Sequence, residues 1–520
     1  MYCAMVTSPH QPATQAGLEI LRAGGNAIEA AITISACLSV TYPHFSGFGG
    51  DAFVILSNAE GHVQTISGIG QAAQDVSGYR KGIPLRGARS MLTTAANVEA
   101  LGKAFEISRK DFGGTMSWED LLAPAITLAD NGFPISASQR FWLEFRLGEM
   151  AAMPGVAANF LTDGQVPAPD FTVRQPRLAA TLKTLARNGY RDFYEGEIAE
   201  ALAEGWQLAG SPLTRADLAA TRARVEPPLR VAYRGGELVA HQPPTQGVTT
   251  LEIMGILQRF DLSKIAEGSA DYYHLLVEAV KLAFMDRNRT VADPEFADVP
   301  VKNMLGAFNL DAHAGRIRMD HARPWPEKFN TGDTVFIGAA DAHGNAVSML
   351  ATIFFDWGSG MMIGDTGVLW HNRGAAFSVD PAHPNALKAG KRPFHTLNPG
   401  MYLQDGKPHI LYGTQGADGQ PQTLAAILTR MIDYKMTPME ALARPRFLLG
   451  KTFSNAQDTL KIESDVGRDV IEALKRRGHE VAEIVAQSPL AGHPGAIVLA
   501  ADGSLTGAHD PRSDGRALGF

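Results

Sequence analysis

Gly332-Asp333-Thr334-Val335-Phe336-Ile337-Gly338-Ala339-Ala340, followed by Asp341-Ala342-His343-Gly344-Asn345 and then Ala346-Val347-Ser348-Met349-Leu350-Ala351-Thr352-Ile353-Phe354, is the stretch whose reading decides the fold. Thr334 to Ala340 is an apolar strand run and Ala346 to Phe354 is a second. Between them sits turn chemistry, with Gly344 free to take a positive φ. The segment therefore predicts a β-hairpin whose first residue is a threonine. Most strand-initial threonines are simply good strand formers. One that begins a polypeptide can do more, because its own α-amine, with a pKa near neutrality, serves as general base for its hydroxyl. An internal threonine lacks that amine, so the bond before it must first be broken.

Working outward, strand runs continue at Met401-Tyr402-Leu403, Ile410-Leu411-Tyr412 and Ala496 to Leu499, with a helix expected from Gln422 to Tyr434. Before the hairpin the texture differs. Ala13 to Ala23 reads as an amphipathic helix stopped by Gly24-Gly25, and Asn26 to Val40 as a helix apolar on nearly every face, hence buried. Pro43 and Ser46-Gly47-Phe48-Gly49-Gly50 break it, and Ala52 to Leu56 looks like a strand. Residues 95 to 290 read as mostly helical, with joints at Pro227-Pro228 and Pro243-Pro244. The pattern is a helix-rich two thirds followed by a strand-rich third.

Bulk properties narrow the function classes. At 520 residues the chain exceeds one small core. A net charge of −7 without a basic cluster argues against nucleic acid. With only Cys3 and Cys37 there is no disulfide framework and no thiolate metal site. No basic leader precedes an apolar run, and no stretch is long enough to span a bilayer, so a cytoplasmic location is expected by default. No zinc-binding His pair, phosphate loop or Gly-x-Ser-x-Gly elbow is evident, and no metal or other cofactor is expected.

Several separated segments carry a family resemblance. Val6-Thr7-Ser8-Pro9-His10, Gly24-Gly25-Asn26-Ala27, Pro43 to Gly50, Pro243-Pro244-Thr245-Gln246-Gly247, Glu278 to Phe284 and Asp510-Pro511-Arg512-Ser513-Asp514-Gly515 together resemble the γ-glutamyltranspeptidase family from end to end. The resemblance implies the α+β, four-layer αββα fold of N-terminal-nucleophile hydrolases and a proenzyme that cuts itself. Residues 1–333 would form a large subunit and 334–520 a small one, folded together as one unit. It further implies cleavage between Asp333 and Thr334, Thr334 as nucleophile, Thr352 as its supporting hydroxyl, and the backbone amides of Gly416 and Ala417 as an oxyanion hole. The family has a Gly-Gly pair at that last position; alanine still supplies its N–H if it can adopt the required backbone angles.

The departures bear on substrate. Family members acting on γ-glutamyl groups hold the substrate's α-carboxylate with an arginine and two serines, and its α-amine with an acidic residue. Here the matching positions are Gln74, His395-Thr396 and Ala375-Ala376, and the asparagine expected beyond Thr352 is Phe354. Loss of a bidentate arginine and its acidic counterpart removes the charge-assisted bonds a zwitterion needs. The pattern around Arg392 to Pro399 and Asp418 to Gln422 is more similar to the branch holding oxamate amidohydrolase and β-lactam acylases. Gln74, Arg392, His395 and Thr396 are therefore the candidate substrate contacts, His395 being equally readable as a packing histidine and Gln74 as a loop amide. Asp418 reads either as a cap for the following helix or as a group orienting its loop. The expected activity is hydrolysis of a small anionic amide such as oxamate through an acyl-enzyme. The alternatives are γ-glutamyl transfer or glutathione hydrolysis with a rebuilt clamp, and a non-catalytic binding protein that kept the fold. Partners are the amide substrate and the two fragments of the same chain, with homo-oligomerisation left open.

Overall fold

In the computed structural model of the chain, residues 3–325, 333–450 and 458–520 are described. Two large antiparallel sheets organise them. The first has seven strands in the spatial order Arg516–Gly519, Met5–Ser8, Asp333–Ala340, Ala346–Phe354, Asp51–Ser57, Val63–Gly68 and Arg224–Glu226. The second has six, in the order Leu505–His509, Pro494–Leu499, Lys407–Thr414, Gly400–Gln404, Gly236–Ala240 and Leu229–Tyr233. Both sheets draw strands from either side of the Asp333–Thr334 bond.

Alternation along the strands sorts their side chains into separate apolar clusters, because successive residues of a strand face opposite ways. In the first sheet Ala52, Val54 and Leu56, Val335, Ile337 and Ala339, and Val347, Met349 and Ala351 pack with the helices Gln11–Arg22, Ala27–Thr41 and Trp118–Asn131. In the second sheet Leu238, Ala240, Tyr402, Ile410, Tyr412 and Ala496 pack with Gly247–Leu257, Ala270–Thr290 and Gln420–Ile432. The intervening positions of both sheets meet one another: Ile55, Ala340 and Ala346 from the first join Val239, Met401, Leu403, Leu411 and Ile497 from the second. Phe53, Phe336 and Leu350 form a smaller cluster on the same face of the first sheet. Each of the larger of these, Val, Leu, Ile, Phe or Met, contributes about 1.5–3 kcal/mol relative to exposure.

The expected hairpin is present, its first strand beginning at Asp333. Asp341 ties its turn, with Oδ1 accepting the His343 and Asn345 N–H groups at 2.9 and 3.1 Å. Its Oδ2 accepts the Ala27 N–H at 2.9 Å, placing a carboxylate at the N-terminus of helix Ala27–Thr41. That helix is buried over its whole length, as its sequence implies, and starts with a capping box between Asn26 and Glu29. The region read as helical also holds strands: the short pair Phe133–Pro134 and Thr172–Val173, and Arg224–Glu226, Leu229–Tyr233 and Gly236–Ala240. Among the described residues no helix is long and apolar enough to cross a membrane.

Candidate active site

The two strands of the hairpin pair regularly from Ala346↔Ala340 to Ala351↔Val335, then shift register so that Phe354 faces Asp333. The shift leaves one extra residue opposite Thr334, a bulge of the kind that re-aims side chains near reaction centres. Thr334 shares its sheet face with Phe336, and Thr352 shares its face with Leu350 and with Ser348, whose Oγ donates to the Tyr412 carbonyl of the second sheet at 2.9 Å. Both threonines therefore point into the space between the sheets, and both are buried. Thr352 Oγ1 accepts the Phe354 N–H at 2.8 Å and so holds the bulge. Gly50 permits this packing, since a Cβ there would lie 2.0 Å from the Thr352 carbonyl oxygen. At the expected cleavage position the Asp333 backbone is in the strand, while Gly332 and the Asp333 side chain lie outside the described residues.

A second segment approaches Thr334 from the second sheet. After strand Lys407–Thr414 the chain turns through Gly416 and Ala417 into helix Gln420–Ile432. Gln420 Nε2 donates to Thr334 Oγ1 at 3.3 Å, and its Oε1 accepts the Asn398 N–H at 3.2 Å. Ala417 does take a left-handed conformation, φ 46°, following Gly416 at φ 129°. An alanine there stores about 1–2 kcal/mol. Among the described residues the N–H groups of Gly416 and Ala417 have no hydrogen-bond partner. Adjacent amides without a partner, in the buried turn leading into Gln420, are donors of the kind an oxyanion site uses.

Gln246, from the Pro243–Gly247 motif, holds this turn. Its Nε2 donates to the carbonyls of Ala417 and Thr396, both at 2.7 Å, and its Oε1 accepts from Arg287 Nη1 at 2.8 Å. Arg287 also pairs with Asp418 at 2.9 Å. Asp418 thus orients the loop, and the helix that follows has no side-chain cap.

The four candidate substrate residues separate. Thr396 is buried, and its Oγ1 receives Arg373 Nη1 at 3.5 Å. Arg392 is committed to Asp293, with Nη2 to Oδ1 at 2.7 Å and the backbone N–H to Oδ2 at 2.9 Å. His395 lies behind the bulge, its Nε2 3.2 Å from Oδ2 of Asp51, the residue paired with Thr352 across the strands. Leu397 N–H donates to His395 Nδ1 at 3.3 Å, which fixes the proton on Nε2, and burial drives the ring's pKa far below its ordinary value. Gln74 is exposed; its backbone N–H donates to Asp217 Oδ1 at 2.9 Å.

Burial raises the Asp51 carboxyl to about 7, against the opposing pull of Arg373 and of the Gly70 and Ala96 amides. Arg373 is fully buried, and desolvation brings it down to about 9. Sequence reasoning did not single out Asp51, Arg373, Gln246, Arg287 or Gln420. Gln246 and Gln420 lie within recognised motifs, but no local spacing marks Arg373 or Asp51. Among the described residues two groups have metal-ligand chemistry, Glu252–Asp286–His313 and His274–Glu278–His479. Their members are engaged in internal pairs, with His313 2.8 Å from Asp286 and Glu278 2.8 Å from Lys281. An open cleft of about 980 Å³ lined by His10, Ser136, His509 and Asp514 contains none of the threonine-site residues.

The model of the family described as gamma-glutamyltranspeptidase matches residues 13–520. The chain belongs to the γ-glutamyltranspeptidase family. As a member it is an N-terminal-nucleophile amidohydrolase. It is 41% identical over 521 residues to the oxamate amidohydrolase proenzyme of Klebsiella pneumoniae, covering 99% of this chain and 98% of that one. It is 40% identical over 524 residues to the glutathione hydrolase-like YwrD proenzyme of Bacillus subtilis, with the same shares covered. Among solved structures, cephalosporin acylase from Bacillus halodurans superposes with a TM-score of 0.91 at 29% identity, over 100% of this chain and 96% of that one. Relatives of this family thus act on chemically different amides, so the substrate of this member must be argued from its own side chains.

Proposed function

We propose that this γ-glutamyltranspeptidase-family chain is a proenzyme that cleaves itself between Asp333 and Thr334 and then hydrolyses small anionic amides, oxamate among them, with Thr334 as nucleophile. The observation that carries this reading is the meeting of three features in one buried place. The Thr334 hydroxyl sits in a β-bulge, Gln420 contacts it at 3.3 Å, and the turn leading into Gln420 offers two unpartnered N–H groups. The fold proposed with it is the four-layer αββα arrangement, supported by one apolar cluster on the outer face of each sheet and a third between them.

In maturation the Thr334 Oγ attacks the Asp333 carbonyl carbon. The C–N bond breaks, the hydroxyl proton ends on the new amine, and water hydrolyses the resulting ester to free Asp333 and an N-terminal Thr334. In turnover the α-amine takes the hydroxyl proton as Oγ attacks the substrate amide. The Gly416 and Ala417 amides stabilise the oxyanion, the protonated amine gives the proton to the departing nitrogen, and water then cleaves the acyl-enzyme. Thr352 maintains the bulge that presents Thr334. The Asp–carboxylate clamp for an α-ammonium is missing at Ala375 and Ala376, which favours an amide lacking that group over glutathione.

Denaturing electrophoresis tests the reading. The wild type resolves into fragments of 333 and 187 residues, Thr334→Ala stays as one band of 520, and only the processed form releases ammonia from oxamate. Turnover by an uncut Thr334→Ala chain would refute it.

A further inference from the structure

Arg373 is a cation whose hydrogen-bonding edge the fold leaves unused. It lies in the short turn Arg373–Ala376 and is 0% exposed. Its guanidinium stacks on the Phe354 ring with Cζ 3.9 Å from the centroid, which fixes its plane. Nη1 reaches Thr396 Oγ1 at 3.5 Å, whereas Nε and Nη2 have no partner among the described residues. These two atoms form one edge of the guanidinium, spaced to meet both oxygens of a carboxylate.

No carboxylate among the described residues is in ion-pair contact with that edge. Asp418 belongs to Arg287. Asp51 receives the Gly70 and Ala96 amides and His395 instead. A buried, unpaired charge costs several kcal/mol in a protein interior, and a bound anion relieves that cost. Burial is what lowers the pKa of Arg373, and Asp51 and Asp418 offset it only from beyond ion-pair distance.

Two routes join Arg373 to the reaction centre. Phe354, under its guanidinium, pairs with Asp333 and donates its N–H to Thr352. Thr396, at its Nη1, shares the Gln246 amide with Ala417. Arg392 has the same Nε–Nη2 edge already occupied by Asp293, with only its Nη1 unpartnered among the described residues.

We propose that the Nε–Nη2 edge of Arg373 receives the carboxylate of the substrate, and that this contact makes the enzyme selective for short carboxylate-bearing amides over neutral ones. The proposal rests on Thr334 chemistry as set out above, and it concerns selectivity alone, so the two fail separately.

The test compares oxamate with its neutral counterpart oxamide in wild type, Arg373→Gln and Arg373→Lys, after electrophoresis has measured the processed fraction of each. The expected result for Arg373→Gln is a fall of about 100-fold or more in kcat/KM for oxamate, with oxamide changed only a few-fold. Arg373→Lys should recover part of the loss, since an ammonium supplies charge without the fork. An unchanged oxamate-to-oxamide ratio in Arg373→Gln overturns the proposal, as does a wild type that prefers oxamide. If the variants do not fold or process, or neither amide is turned over, binding decides. Oxalate titrated into the uncut Thr334→Ala chain by calorimetry should bind, and absence of binding overturns the assignment.

Discussion

Exchanging Gln246 for methionine removes three hydrogen bonds from the turn that carries Gly416 and Ala417 while leaving the volume nearly unchanged. The amide donates to the Thr396 and Ala417 carbonyls and accepts from Arg287. Arg287 keeps Asp418 as a partner, so its loss counts least. The two carbonyls are left buried with no donor from this side chain, at about 1–3 kcal/mol each, so the variant should lose about 2–6 kcal/mol of stability. Ala417 is already held in a left-handed conformation, φ 46°. Without the bond to its carbonyl, Ala417 is freer to leave that conformation, which would displace the N–H proposed for the oxyanion site. Removing one donor of an oxyanion site lowers kcat by about 10²–10³. Urea unfolding measured in the uncut Thr334→Ala background gives the stability loss, and turnover normalised to the amount of small fragment gives kcat. A large drop in the urea midpoint with kcat unchanged would show that Ala417 takes no part in catalysis and would refute the assignment of the turn.

Ala417→Gly should act in the opposite sense on stability. Glycine accepts φ 46° without a Cβ penalty, so the urea midpoint should rise by the equivalent of about 1 kcal/mol, offset in part by the freer unfolded chain, with kcat within a few-fold of wild type. Asp51→Asn should flatten the pH dependence of stability. Burial raises the Asp51 carboxyl from 3.8 to about 7, so the folded state holds a proton that the unfolded state releases between those values. Stability from this group is therefore full below about pH 4 and is lost as pH rises through about 7. Comparing urea midpoints at pH 5 and pH 8 should show a smaller fall in Asp51→Asn than in the parent, and equal falls would mean that Asp51 is ionised throughout.

The hairpin was legible because two kinds of signal coincide there: apolar runs of strand length, and an Asp–Asn turn whose side chains bond their own backbone. The buried helix Ala27–Thr41 was legible because no face of it is polar. The hairpin of Leu229–Tyr233 and Gly236–Ala240 was missed although Leu229, Val231 and Tyr233 alternate with Arg230 and Ala232. Its turn is Arg234-Gly235, with both φ values positive, 46° and 85°, and arginine at the first position is not the residue by which such turns are recognised. At the site, sequence motifs brought Thr334, Thr352, Gly416 and Ala417 to attention through family resemblance. Which arginine is available was beyond them. Arg392 is occupied by an aspartate 99 positions away, and Arg373 is unpaired because Asp51 and Asp418 are held elsewhere. Both facts arise only when distant segments pack.

The proposed cleavage at Asp333–Thr334 would leave two fragments that the sheet architecture gives every reason to stay together. Strand Asp51–Ser57, from before the bond, pairs with Ala346–Phe354, from after it, in continuous register from Ser57↔Ala346 to Asp51↔Thr352. Met5–Ser8 lies between Asp333–Ala340 and Arg516–Gly519 and pairs with both. The second sheet is joined in the same way through Gly236–Ala240 and Gly400–Gln404. Separating the fragments would break four strand pairings and expose the apolar clusters on both faces of each sheet, where a single large side chain accounts for about 1.5–3 kcal/mol. The severed bond removes only one covalent constraint, and the oligomer-like association that replaces it is already formed. The processed enzyme should therefore elute as one particle carrying both fragments in native buffer, and the fragments should part only in denaturant. Active small fragment recovered alone from a native column would contradict this, because the strand on the other side of Thr352 would then be dispensable for presenting Thr334.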